Sequence, residues 1–259
     1  MNFFNQGIPL GRWFGITVVI HWTFLLYAAM KLFAGGEGGQ VTGNEMAFRA
    51  MFMGLLFATV LMHEFGHALS CKAVGGQALH IVLWPLGGIA FVQPPMNPWA
   101  WLVTTACGPL VNAILWPVFW VITMYGLPML EHVINPHTLL YEIIVNVCLI
   151  MVYINRLLLL FNLIPGYPMD GGRLLQEILW LLMGYQKSLQ IAGMVGTVVG
   201  VGFVVLGLGM ASIKIPFVDY TLGQRGGSEP MLIIIGILVA MQSFGIYKQS
   251  QMIQGWRKR

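Results

Sequence analysis

Two histidines four residues apart, with a glutamate directly after the first, are the residues of this sequence best suited to chemistry: His63-Glu64-Phe65-Gly66-His67. On a helix, positions four apart share a face. Two imidazoles can then hold one zinc ion while Glu64 between them serves as general base toward water. The residues around this cluster are apolar for long enough to cross a bilayer, where polar side chains are costly and mark function. A catalytic zinc takes three protein ligands and keeps one position open, so a third donor must come from elsewhere. The chain has two aspartates, Asp170 and Asp219. Asp170 ends the run Asn162-Leu-Ile-Pro165-Gly-Tyr-Pro168-Met-Asp170-Gly171-Gly172. The prolines there break a helix and the glycines let the backbone turn closely, which can swing the carboxylate back toward the histidines. A turn-forming Asp before Gly is the common alternative. Asp219 falls on the opposite side of the membrane in this reading.

These residues need a scaffold, and composition says which kind. Of 259 residues, 58% are hydrophobic and only 8% charged, against about 25% charged in a soluble domain. That leaves too little polar surface to coat a water-soluble globule. The expected fold is an all-α polytopic membrane protein, a bundle of six transmembrane helices with a small β-hairpin near the active site. The apolar segments run from about Ile16 to Phe33, Ala47 to Val74, Trp99 to Tyr125, Leu139 to Leu163, Leu189 to Met210 and Met231 to Tyr247. Arg173 to Tyr185 reads as a short amphipathic helix. Between Gly76 and Pro95, β-branched and aromatic residues flank Pro85-Leu-Gly-Gly88, the pattern of a hairpin. Its edge, around Gly88 and Ile89, offers an extended substrate a strand to pair with. Gly35 to Gly43 is a Gly-rich connection, and Ala211 to Pro230 an exposed loop.

The net charge of +4 belongs to short loops and the tail, which excludes a nucleic-acid role and points to lipid contact and orientation. With an inward N-terminus and six spans, eight Lys and Arg residues lie on the cytoplasmic side and four on the other, with Arg156 inside the fourth segment. Both termini are then cytoplasmic, with the His63 and His67 end of the second helix toward that face. The basic tail, Lys248 to Arg259 with Trp256, reads as an interfacial anchor. Cys71, Cys107 and Cys148 are isolated and read as buried thiols. His21 reads as a hydrogen-bonded structural residue within the first helix. His80 is not assigned as a ligand, and His132 and His137 read as solvated. Gly193, Gly196 and Gly200 have the spacing of a helix-packing face. Asn155 and Arg156, inside an apolar helix, need polar partners that the sequence does not name.

Three motifs in order, His63-Glu-Phe-Gly-His67, Gly108-Pro-Leu-Val-Asn112 and Asn162-Leu-Ile-Pro165 through Asp170-Gly-Gly172, resemble the signatures of the site-2 protease family of intramembrane zinc metalloproteases. The resemblance covers roughly residues 10 to 185, and Pro85-Leu-Gly-Gly88 shares it. The extra N-terminal helix resembles the branch that includes the sporulation-factor-processing protease, without the nucleotide-sensing CBS domain many of that branch carry and without a PDZ insertion. The resemblance implies a single protease domain over 1–259, with a core at about 45–185 and extra helices at 15–33, 189–210 and 231–247. It implies one zinc per chain on His63, His67 and Asp170, Glu64 as general base, and cleavage of peptide bonds in or beside the membrane-spanning segment of a tethered regulator. Anti-sigma factors and membrane-tethered transcription factors are such single-span substrates. It places the protein in a bacterial or archaeal cell membrane. Asn112 matches the family's central-helix Asn, whose amide can bind substrate backbone or an oxyanion; an Asn joining two helices is the alternative. A membrane metal transporter and an inactive substrate-binding scaffold are the competing functions.

Overall fold

The computed structural model describes residues 7–33, 42–85, 87–214, 221–222 and 228–257. Most of the Gly35 to Gly43 connection, Asp219, most of the Ala211 to Pro230 loop and the Trp256 tail side chains lie outside the described residues. The chain divides into two compact units, Met1–Leu160 and Phe161–Arg259.

The first unit opens with strands β1 (Gly7–Trp13) and β2 (Ile16–His21), followed by helices α1 (Trp22–Phe33) and α2 (Gly43–Ala73). Strands β3 (Gln77–Trp84) and β4 (Gly87–Gln93) follow, then α3 (Pro98–Val121), a π-helical turn (Ile122–Gly126), α4 (Leu127–Glu131) and α5 (Leu139–Asn162), whose last residues pass into the second unit. The sequence-based hairpin is present as β3 and β4, but it is half of a four-stranded sheet ordered β1-β2-β3-β4. β2 runs parallel to β3, with Thr17 opposite His80 and Ile20 opposite Leu83. The other pairs are antiparallel.

This sheet corrects the first expected membrane helix. Ile16-Thr-Val-Val-Ile20 is a β-branched run, stiff at χ1 and suited to a pleated surface. Ile16 and Val18 are buried against Leu61, Phe65 and Ala68 of α2 and Ile81 and Leu83 of β3. The helix that follows is only 12 residues long, about 18 Å against a hydrocarbon core of about 30 Å. Among the described residues, five helices are long and apolar enough to span: Gly43–Ala73, Pro98–Glu131, Leu139–Asn162, Tyr185–Gly207 and Pro230–Met252. The protein is an integral membrane protein, and the expected count of six spanning helices is not confirmed among the described residues.

Helix ends follow local chemistry. Thr42 caps α2, its hydroxyl accepting from the Glu45 N–H while the Glu45 carboxylate accepts from the Thr42 N–H, and Lys72 sits in the last turn beside the helix's negative end. Asn97 caps α3 and Pro98 fills its first turn. Large apolar side chains such as Leu110, Ile114, Val118 and Leu149 are exposed, as helices facing hydrocarbon require.

The second unit holds α6 (Asp170–Met183), α7 (Tyr185–Gly207) and α8 (Pro230–Arg257), with a two-residue pair β5 (Ile213–Lys214) and β6 (Thr221–Leu222). Gly193, Gly196 and Gly200 form the packing face expected of them. A β-carbon on Gly193 would lie 2.7 Å from Tyr247 N, and one on Gly200 2.7 Å from Ala240 Cα. α7 and α8 therefore meet backbone to backbone, the small-residue contact of membrane helices.

Candidate metal centre

His63, Glu64 and His67 lie on α2 and are buried. Helix α3 runs antiparallel against that face and is built to receive it. Gly108 sits under His67, and a β-carbon there would run into the imidazole. A β-carbon on Gly66 would lie 2.9 Å from the Cys107 carbonyl carbon. One turn from Gly108, Thr104 offers its carbonyl oxygen 2.9 Å from His67 Nδ1. One turn the other way, Asn112 places Oδ1 2.7 Å from His63 Nδ1. Thr104, Gly108 and Asn112 thus form an i, i+4, i+8 stripe matched to the i, i+4 pair of histidines.

These contacts set the ring chemistry. A carbonyl oxygen cannot donate, so His67 carries its proton on Nδ1, and Asn112 Oδ1 asks the same of His63. Both Nε2 atoms then present lone pairs, and they face each other at 3.1 Å. Two acceptors at that separation are satisfied by a proton or a metal ion between them. Two nitrogens at zinc-bonding distance in tetrahedral geometry would be about 3.3 Å apart. The pair fits zinc, with the outer hydrogen bond on each ring that metal-binding histidines carry.

Glu64 faces the sheet. A β-carbon on Gly88 of β4 would lie 2.7 Å from Glu64 Oε1, so the missing side chain lets the strand pass directly over the carboxylate. Ile89 is the next residue, paired with Val82. Among the described residues, β4 pairs with β3 on one side and is an edge strand of the sheet. His80 stacks on Phe91 with centroids 4.2 Å apart. Burial holds the His80 imidazole below its ordinary range, so it packs as a neutral ring.

In the second unit, Asp170 is the first residue of α6 and is buried. The N-terminal end of that helix favours a charged carboxylate. The turn before it is tight in the way its glycines predict: a β-carbon on Gly172 would lie 2.6 Å from the Gly166 carbonyl carbon. Tyr167 N–H donates to Ser243 Oγ at 3.0 Å, fixing the loop to α8.

Asn112 makes the contacts of the second of its two readings, an Asn joining helices. It is fully buried, with Oδ1 on His63 and Nδ2 donating to Asn155 Oδ1 at 2.9 Å. The amide expected to reach a substrate carbonyl or oxyanion is engaged inside the protein. Asn155, which lacked a named partner, has this one and donates to the Met151 carbonyl at 2.8 Å. His21 ends β2 rather than lying in a helix, and its Nδ1 is 2.6 Å from Thr23 Oγ1. His132 and His137 are exposed beyond α4. Sequence reasoning missed Thr104. Its spacing of four from Gly108 and eight from Asn112 was the available signal.

Residues 127–207 match the model of peptidase family M50. The chain is 31% identical over 225 residues to a zinc metalloprotease of Methanocaldococcus jannaschii, covering 87% of this chain and 60% of that protein. It is 31% identical over 219 residues to a putative zinc metalloprotease of Synechocystis, covering 82% of this chain and 54% of the relative. The chain thus spans little more than half the length of these relatives. Among solved structures it is similar to the site-2 protease of Methanocaldococcus jannaschii, with a TM-score of 0.55 and 27% identity over 93% of this chain and 95% of that one. The chain thus carries a stretch that matches peptidase family M50, at residues 127–207, and is similar over most of its length to zinc metalloproteases and to a site-2 protease structure.

Proposed function

We propose that the protein is an intramembrane zinc metalloprotease that hydrolyses peptide bonds in or next to the membrane segment of a tethered, single-span protein. The observation that carries the reading is the pair of lone-pair-bearing Nε2 atoms at 3.1 Å beside a buried glutamate. His63, His67 and Asp170 would hold the zinc. This ligand set is supported by its donor chemistry, two imidazoles and a carboxylate on three buried side chains. Zinc, when bound, supplies Lewis acidity for amide hydrolysis. Glu64 accepts a proton from the attacking water and returns it to the leaving amide nitrogen. The α2–α3 contact holds the rings. A helical substrate hides its carbonyls in its own hydrogen bonds, so it must unwind. The free edge of β4, which passes Glu64 at Gly88, is the surface on which an extended segment would be held.

Asp170→Ala should lower zinc content and cleavage together. Full zinc occupancy in the purified variant would contradict the assignment of the third ligand.

In this reading the sheet faces the cytoplasmic side. β2 pairs with β3, so the chain that leaves the sheet through α1 has returned to it by the end of α2. The charge count of the sequence, with the larger share of Lys and Arg on the cytoplasmic side, supports that orientation. In a variant lacking the native cysteines, His132→Cys should react with an impermeant maleimide on intact cells and Lys187→Cys only after permeabilisation. The reverse pattern would invert the orientation.

A further inference from the structure

His67 is oriented by a backbone carbonyl, which has one possible sense. His63 is oriented by an Asn side chain, whose oxygen and nitrogen ends can exchange by a half-turn. If Asn112 turned its NH2 toward His63, Nδ1 would have to accept, and the proton would move to Nε2, the atom a metal needs. Something must fix the sense of that amide. Asn155 Nδ2 lies 2.8 Å from the Met151 carbonyl oxygen. That oxygen only accepts, so Asn155 must present its NH2 there and its Oδ1 toward Asn112, 2.9 Å away. Asn112 then has its NH2 toward Asn155 and its Oδ1 toward His63. Both amides are fully buried, where a reversed link would leave opposing dipoles in low dielectric.

We propose that Met151 C=O, Asn155 and Asn112 form a directional amide relay, running from α5 through α3 to α2, that holds His63 in its Nδ1–H tautomer and reserves Nε2 for the metal. Asn112 and Asn155 are positioning residues. The proposal rests on the zinc reading above. A role as mere glue between α3 and α5 is separable, because Asp at 112 keeps the acceptor for His63 but loses the donor to Asn155, whereas Leu loses both.

Zinc dissociation constants by chelator competition should place Asn112→Asp within about threefold of the wild type and Asn112→Leu weaker by about 10- to 100-fold, the scale of losing a ligand's outer hydrogen bond. Equal weakening of the two would overturn the relay. Nitrogen-15 NMR of histidine-labelled, metal-free wild type should show His63 protonated on Nδ1, a readout that needs no variant to fold. Protonation on Nε2 would overturn the proposal. Asn155→Leu, which touches neither histidine, should shift that population toward Nε2–H, and an unchanged ratio would remove Asn155 from the relay. A wild type that takes up no zinc contradicts the protease reading instead, and the tautomer measurement still decides the relay.

Discussion

At the scale of single residues, the sequence pattern and the geometry agree most closely where helix periodicity alone fixes the arrangement. His63 and His67 meet because residues four apart on α2 share a face. Gly108 and Asn112 were legible as a motif, but what they touch was not. Their contacts with His67 and His63 depend on the register between two antiparallel helices, which neither helix encodes alone. With the register known, Gly108 has no room for a side chain against His67. Gly108→Ala should push the His67 ring off its line and weaken zinc binding by about one to two orders of magnitude, as loss of ligand orientation does. Zinc titration checks this, and wild-type affinity in that variant would mean the helices separate to make room.

At the scale of elements, the segment from Ile16 to Phe33 shows where an apolar run misleads. Hydrophobicity read it as one helix. The β-branched residues in its first third pair with β1 and β3, and only Trp22–Phe33 is helical. The strand signal was present in Ile16-Thr-Val-Val-Ile20. Its partner β3 lies some sixty residues away, and that pairing is what decides between strand and helix. The Gly76 to Pro95 hairpin carried its own turn and was legible locally. Its outer strand gives an element-scale test. Of two successive residues in an edge strand, one directs its N–H and C=O outward. Proline placed singly at Ile89 and Ala90 removes that donor in one of the two variants. Cleavage of a single-span reporter should fall severalfold in that variant with zinc content unchanged. Wild-type cleavage in both would exclude strand addition at β4.

At the scale of the whole molecule, the low charge density and the exposed apolar faces of the spanning helices have one cause, a solvent of lipid. In that solvent a buried histidine pair and a glutamate are costly, and the proposed protease reading gives them a use. A metal transporter would need polar groups along a path through the bilayer, and a scaffold would not need Glu64. Glu64→Gln separates these from a protease, because it removes the base while leaving both imidazoles. The measurement that tests the central claim most directly is zinc content together with reporter cleavage, on wild type and Glu64→Gln purified side by side. About one zinc per chain in both, with cleavage in the variant reduced by about two to four orders of magnitude, is the predicted result. Cleavage by Glu64→Gln at the wild-type rate, or a wild type that cleaves without binding zinc, would contradict it.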